Sequence, residues 1–195
     1  MAIGDASGHG LPAALLVRDL VTGLRMGSGP DLKATSLIRR LNRVIHRSSL
    51  SSRFASLFYA ELEPNGSLID VNAGHPPPLL FLAGRIVELS VGGTLLGPMP
   101  EAHFTRGFAH VDRGGVLLLY TDGLIERTNA AGGMFSVDGL MDVMSRHAGA
   151  DASVILDEVF RASRDFGTGP WEDDVTAVAI RRHGDGSAAP RRTGA

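Results

Sequence analysis

Two hydrophobic spacings alternate along the chain. From Leu11 to Met26 the apolar residues Leu11, Ala14, Leu15, Leu20, Val21 and Leu24 recur at three and four, which predicts an amphipathic helix. A second helix is predicted over 31–46, with Leu37, Ile38, Leu41, Val44 and Ile45 on one face and Arg39, Arg40 and Arg43 toward water. Gly27 to Pro30 separates the two, and Ser48 to Arg53 reads as a polar loop. The period then changes to two. Residues 54–63 and 67–73 flank Pro64-Asn65-Gly66, a hairpin turn with glycine where a positive φ is wanted. A second hairpin is predicted over 77–89 with Gly84 at its tip, and the continuous apolar run 115–123 reads as a strand buried on both faces. Helices over 137–146 and 152–166 and a last strand in 173–182 complete the pattern. Helix pairs interleaved with antiparallel hairpins predict an α+β layered domain. Residues 184–195 are too polar and small to bury anything and are expected to form a disordered tail.

Composition narrows the class. At 195 residues the chain suits one domain, and 44% hydrophobic with 21% charged residues is ordinary for a globular protein. A net charge of -2 leaves no electrostatic footprint for nucleic acid or an anionic membrane. The absence of cysteine removes disulfides, thiolate metal sites and cysteine nucleophiles. With neither a membrane-spanning run nor a signal segment, a cytoplasmic protein is expected. Lys33 is the one lysine, so a mechanism needing a catalytic lysine has a single candidate.

The chemistry concentrates in aspartates at strand ends: Asp5 in "AIGDASG", Asp122 in "LLLYTDGLIE", and Asp173 and Asp174 in "WEDDVTAVAI". A carboxylate held at the buried end of a strand is costly unless a cation pairs with it. Hard oxygen donors point to Mg²⁺ or Mn²⁺, and the small neighbours Ala6, Ser7, Gly8 and Gly123 would let carbonyls and waters approach. Two glycine-rich alternatives fall away. "GHGLPA" matches a dinucleotide fingerprint, but no strand ending in an acidic residue follows at the required distance, and Lys33 lies far from any phosphate-loop glycines.

The blocks "GDASGHGLPAALL", "FASLFYAELE", "NAGHPPPLL", "GTLLGPMP", "LLLYTDGLIERTN" and "EDDVTAVAIRR" together resemble, in order and spacing, the bacterial PPM-type protein phosphatases of the SpoIIE and RsbU kind. The resemblance covers residues 2–182. It implies a metal-dependent serine/threonine phosphatase on an α-β-β-α, PP2C-like sandwich, with two Mn²⁺ or Mg²⁺ ions between the sheets. Asp5 is similar to the aspartate that bridges both metals and Ala6 to the residue whose carbonyl helps hold one; Asp122 and Asp173 resemble ligands of the second metal, with Asp174 a weaker candidate. His9 is either the acid that protonates the leaving oxygen or a cap on the following helix. His75 is expected to fix its loop by hydrogen bonds, and Trp171 to pack.

Relatives of this kind carry further strands before the "GDASGHG" block, so residues 1–183 read as a PPM-type domain whose first strands are missing. The first strand should then be an edge strand, and an unpaired edge favours self-association, with a homodimer one candidate state. The partner implied is a phosphorylated STAS-domain anti-anti-sigma protein, with a sensor module upstream as in relatives. A non-catalytic regulator of the same fold is the rival reading. The first helix pair, which leads directly out of the Asp5 loop, is expected to be the regulatory element.

Overall fold

The computed structural model describes residues 1–27, 33–48 and 53–184. The expectations for a polar loop at 48–53 and a disordered tail fall almost wholly outside them. The chain runs β1 (Ala2–Ala6), α1 (Leu11–Gly27), α2 (Ala34–Ser48), β2 (Ala55–Leu62), β3 (Ser67–Ala73), β4 (Leu79–Leu82), β5 (Arg85–Glu88), β6 (Gly92–Gly93), β7 (Gly107–His110), β8 (Val116–Tyr120), α3 (Asp122–Ile125), α4 (Ser136–Arg146), α5 (Ala152–Phe166) and β9 (Ala177–Arg181). Both long apolar periodicities of 3.6 became helices and both hairpins formed as the period-two segments require. Gly66 takes φ +96 at the first hairpin turn, a value that an L side chain would resist.

Two sheets result. The first has the order β1-β2-β3-β6, with β7 also paired to β3; the second has the order β5-β4-β8-β9. Three apolar clusters show the layering. Leu37, Ile38, Leu41 and Ile45 of α2 pack with Leu57, Tyr59, Val71 and Ala73 on the outer face of the first sheet. Phe58, Ala60 and Leu68 meet Leu80, Leu117 and Leu119 between the sheets. Leu118 and Tyr120 meet Leu140, Val143, Ile155 and Val159 of the second helix layer. The order is therefore α-β-β-α, as the family resemblance implies. Burying this apolar area is the main force that holds the layers together.

Three elements were not predicted. Strand β6 is two glycines and β7 is four residues, too short to carry a readable alternation, while α3 is a single turn that follows the β8 run. The last strand is also shorter than expected. Residues 173–176 form the approach to β9, so Asp173 and Asp174 stand on a loop and not at the strand's first positions. Strand β1 lies at the end of its sheet, with no partner on its outer side among the described residues.

Candidate active site

The candidate aspartates come from both sheets. Strand β1 pairs antiparallel with β2 so that Asp5 stands opposite Ser56 and Ile3 opposite Phe58. Since Ile3 and Phe58 belong to the cluster between the sheets, alternation puts Asp5 and Ser56 on that same inner face, at the end of the sandwich. Beyond Ala6 the chain turns through Gly8, His9 and Gly10 into α1, and Ser7 ties the turn to β2: its N–H donates to the Phe54 carbonyl at 2.9 Å while its hydroxyl accepts from Phe54 N–H at 2.9 Å.

The second sheet contributes the rest. Strand β8 ends at Tyr120, and Asp122 opens the short helix α3, its carboxylate accepting from Gly123 N–H at 3.0 Å. Thr121 joins this end of β8 to the approach to β9, donating its hydroxyl to the Asp174 carbonyl at 3.3 Å and accepting from Thr176 N–H at 3.0 Å. A Cβ on Gly123 would sit 2.6 Å from the Asp174 carbonyl oxygen. A residue without a side chain is therefore needed there for the Asp173–Asp174 loop to lie beside Asp122. Asp173 caps its own turn by accepting from Asp174 N–H at 2.7 Å.

A cavity of about 390 Å³ opens where the halves meet, and its wall includes Asp5, Ala6, His9, Asp173 and Asp174. Among the described residues neither arginine nor lysine lines it. Asp122 is not on its wall but acts on it. The Asp5 carboxyl is pushed above the usual carboxylate range by partial burial and by repulsion from Asp122, Asp173 and Asp174, against the steadying N–H of Ala6. Asp174, the weaker candidate from the sequence, thus lines the cavity beside Asp173.

The donor set is one of carboxylates and a backbone carbonyl, which suits a hard divalent cation. Among the described residues no three acidic or histidine side chains are gathered closely enough to hold one ion by themselves. Unmet negative charge and sparse ligation together fit a cation that keeps much of its water shell, as Mg²⁺ does.

His75 behaves as expected of a loop-fixing residue. It is buried, its ring spans Ser56 and Tyr120, and Asn72 holds its backbone from both sides. Trp171 packs against the second helix layer and under the Arg127 guanidinium, 4.9 Å from the ring centre. Sequence reasoning missed Arg127. Its buried side chain donates to the carbonyls of Gly169 and Pro170 and so anchors the loop that carries Asp173.

The family described as Stage II sporulation protein E (SpoIIE) matches residues 1–183. The chain belongs to the SpoIIE family. The phosphoserine phosphatase RsbU of Bacillus subtilis is 22% identical over 93% of this chain and 55% of its own length, so this chain spans about half of that relative. The structure of the RsbU and RsbW domains of Rv1364c from Mycobacterium tuberculosis superposes with a TM-score of 0.76 at 30% identity, over 93% of this chain and 51% of that one. The catalytic domain of the serine/threonine phosphatase PstP, solved with two manganese ions, shares the fold at a TM-score of 0.63 and 16% identity, over 91% of this chain and 85% of that one. No helix among the described residues is long and apolar enough to cross a membrane.

Proposed function

We propose that this domain hydrolyses phosphoserine or phosphothreonine on a protein, with two Mn²⁺ or Mg²⁺ ions as cofactors, and that its substrate is a phosphorylated STAS-domain anti-anti-sigma protein in a partner-switching pathway. The observation that carries the reading is the acidic cavity at the junction of the sheets. A phosphate dianion entering a wall of Asp5, Asp173 and Asp174 without a basic side chain would be repelled. The site suits phosphate only once cations have reversed its charge. Asp5 and the Ala6 carbonyl would hold metal on the first sheet's side, and Asp122 with Asp173 on the second sheet's side, with Asp174 beside them. Bound there, divalent cations lower the pKa of water and neutralise phosphoryl oxygens.

The chain's own groups do the rest. The Asp5 carboxylate, already under pressure from three like charges, would be relieved by a bound cation. His9, exposed on the cavity wall, would give a proton to the serine or threonine oxygen as it leaves. The cavity holds a phosphorylated side chain but not a folded domain, so the partner must present its phosphate on a protruding segment. The likeness to the phosphoserine phosphatase RsbU supports the choice of reaction.

One observation favours a second reading, a non-catalytic regulator with the same fold: the carboxylates are not gathered around one point. A single experiment separates them. Hydrolysis of p-nitrophenyl phosphate and of a phosphorylated STAS protein should require Mn²⁺ or Mg²⁺ and stop with chelator, and Asp122→Asn or Asp173→Asn should lower turnover at least about a hundredfold without loss of fold. Activity that survives chelation sinks the metal mechanism. A chain that binds Mn²⁺ and the phosphorylated partner yet releases no phosphate is the regulator.

A further inference from the structure

His75 is 4% exposed and follows the first sheet, yet its ring reaches the second. Its Nε2 lies 3.1 Å from the Tyr120 carbonyl, which can only accept, so Nε2 carries the proton. Its Nδ1 therefore accepts from the Ser56 hydroxyl at 2.8 Å. Burial keeps the ring neutral, pushing its pKa down to about 4, which fixes this tautomer.

The backbone on which the ring stands is also fixed. Asn72, itself buried, accepts from His75 N–H at 2.8 Å and donates to the His75 and Leu89 carbonyls at 3.0 and 3.3 Å. Pro76, Pro77 and Pro78 then lock φ at three successive residues. Both ends of the bridge touch the candidate site at one remove. Ser56 is the cross-strand partner of Asp5, and Tyr120 precedes Asp122 by two residues on the same strand end.

We propose that His75 is a positioning residue: it bolts the first sheet to the second at the cavity end and thereby sets how far Asp5 stands from Asp122. Apart from this bridge, the Asn72 bond to Leu89 and the Arg182 bond to the Val111 carbonyl at 2.9 Å, the sheets meet through the apolar side chains of the inner cluster, whose non-directional contacts leave their relative setting more freedom. Hydrogen bonds through a rigid imidazole are directional and do not allow that freedom. The inference rests on the metal-site reading above, because its consequence is the spacing of ligands drawn from two sheets.

The test compares the chain with Ser56→Ala, His75→Asn and the double variant by Mn²⁺ titration and electron paramagnetic resonance, alongside metal-free melting. Ser56→Ala removes one end of the bolt with little change in volume, so it keeps the inference testable should His75→Asn fail to fold. Outer-shell partners of metal ligands are commonly worth 10- to 100-fold in affinity, and about a tenfold loss is expected here. The double variant should be no worse than His75→Asn, since both remove one connection. Val159→Ala, a cavity in the far helix layer, should lower the melting temperature and leave Mn²⁺ affinity unchanged.

Because the chain has no cysteine, spin labels can be placed at Leu11→Cys, the first residue of α1, and Met134→Cys, just before α4, both exposed. The metal-free distance distribution should broaden in Ser56→Ala. Wild-type Mn²⁺ affinity together with an unbroadened distribution in Ser56→Ala overturns the bolt. If the unmodified chain binds no Mn²⁺, the metal reading fails, and the distance distribution alone decides whether His75 couples the sheets.

Discussion

The two helix layers of this sandwich are built to different standards. Over the second sheet, α4 and α5 bury Leu140, Val143, Met144, Ile155 and Val159, and the Ser163 hydroxyl reaches the Leu124 carbonyl at 2.8 Å. Over the first, α2 is well seated but α1 buries only Leu16 and Leu20 and leaves Leu11, Leu15, Val17, Val21 and Met26 exposed. Each layer carries one half of the candidate site. The Asp122, Asp173 and Asp174 half is fastened by Thr121 and Arg127, whereas Asp5 and His9 hang between an edge strand and the loosely held α1. The lesson is that the site pairs a fixed half with an adjustable one. Since α2 buries a full apolar face, a test of the regulatory expectation for the first helix pair bears on α1, whose apolar face is the exposed one.

The comparison breaks most easily at Arg127. Arg127→Ala strips two carbonyls of their donor, leaves Trp171 without its cation and opens a cavity, so a loss of about 4 kcal/mol is expected. Chemical denaturation of the variant measures it, and a loss below about 1 kcal/mol would show that the second half is not fastened there.

Asp70 sharpens the comparison from between the sheets. It sits on β3 at 1% exposure, Oδ2 has no hydrogen-bond partner, and burial pushes its pKa up to about 6. The folded protein thus binds this proton more tightly than the unfolded chain. Its contribution to stability is whole below about pH 4 and is lost as pH rises through about 6. Asp70→Asn should therefore stabilise the protein by up to about 3 kcal/mol at pH 8, with the gain vanishing near pH 4. Melting curves across that range check the sign.

The smallest effect belongs to α1. Val21→Ser on its exposed face should change stability by less than about 0.5 kcal/mol. A large loss in thermal melting would mean that this face is covered, and the contrast between the layers would disappear.

Much of this was legible in the sequence because it follows from periodicity. The four long helices and both hairpins are amphipathic or alternating segments, and the strand-end aspartates announced themselves as charges beside apolar runs. Other features have no local signal. Arg127 looks like any surface arginine until the loop at 169–170 folds back over it. Asp70 alternates properly in "SLIDVNA", but the face that alternation assigns to it is the one the second sheet covers. Asp122 and Asp174 were ranked by their motifs, while their places relative to the cavity depend on Gly123 admitting the Asp174 carbonyl.

The pairing of the outer strands has a consequence for the order in which the molecule assembles. Strand β1 finds β2 only across the whole of α1 and α2, and β8 finds β9 only across α3, α4 and α5. Both are long loop closures whose entropy must be met before any contact rewards it, unlike the β2–β3 and β4–β5 hairpins, which need only a turn. The hairpins can nucleate early. Asp5 and the Asp173–Asp174 loop belong to the late closures, so the acidic cavity is expected to form at the end of folding, and a chain released or cut before β9 docks has a sheet but no such cavity.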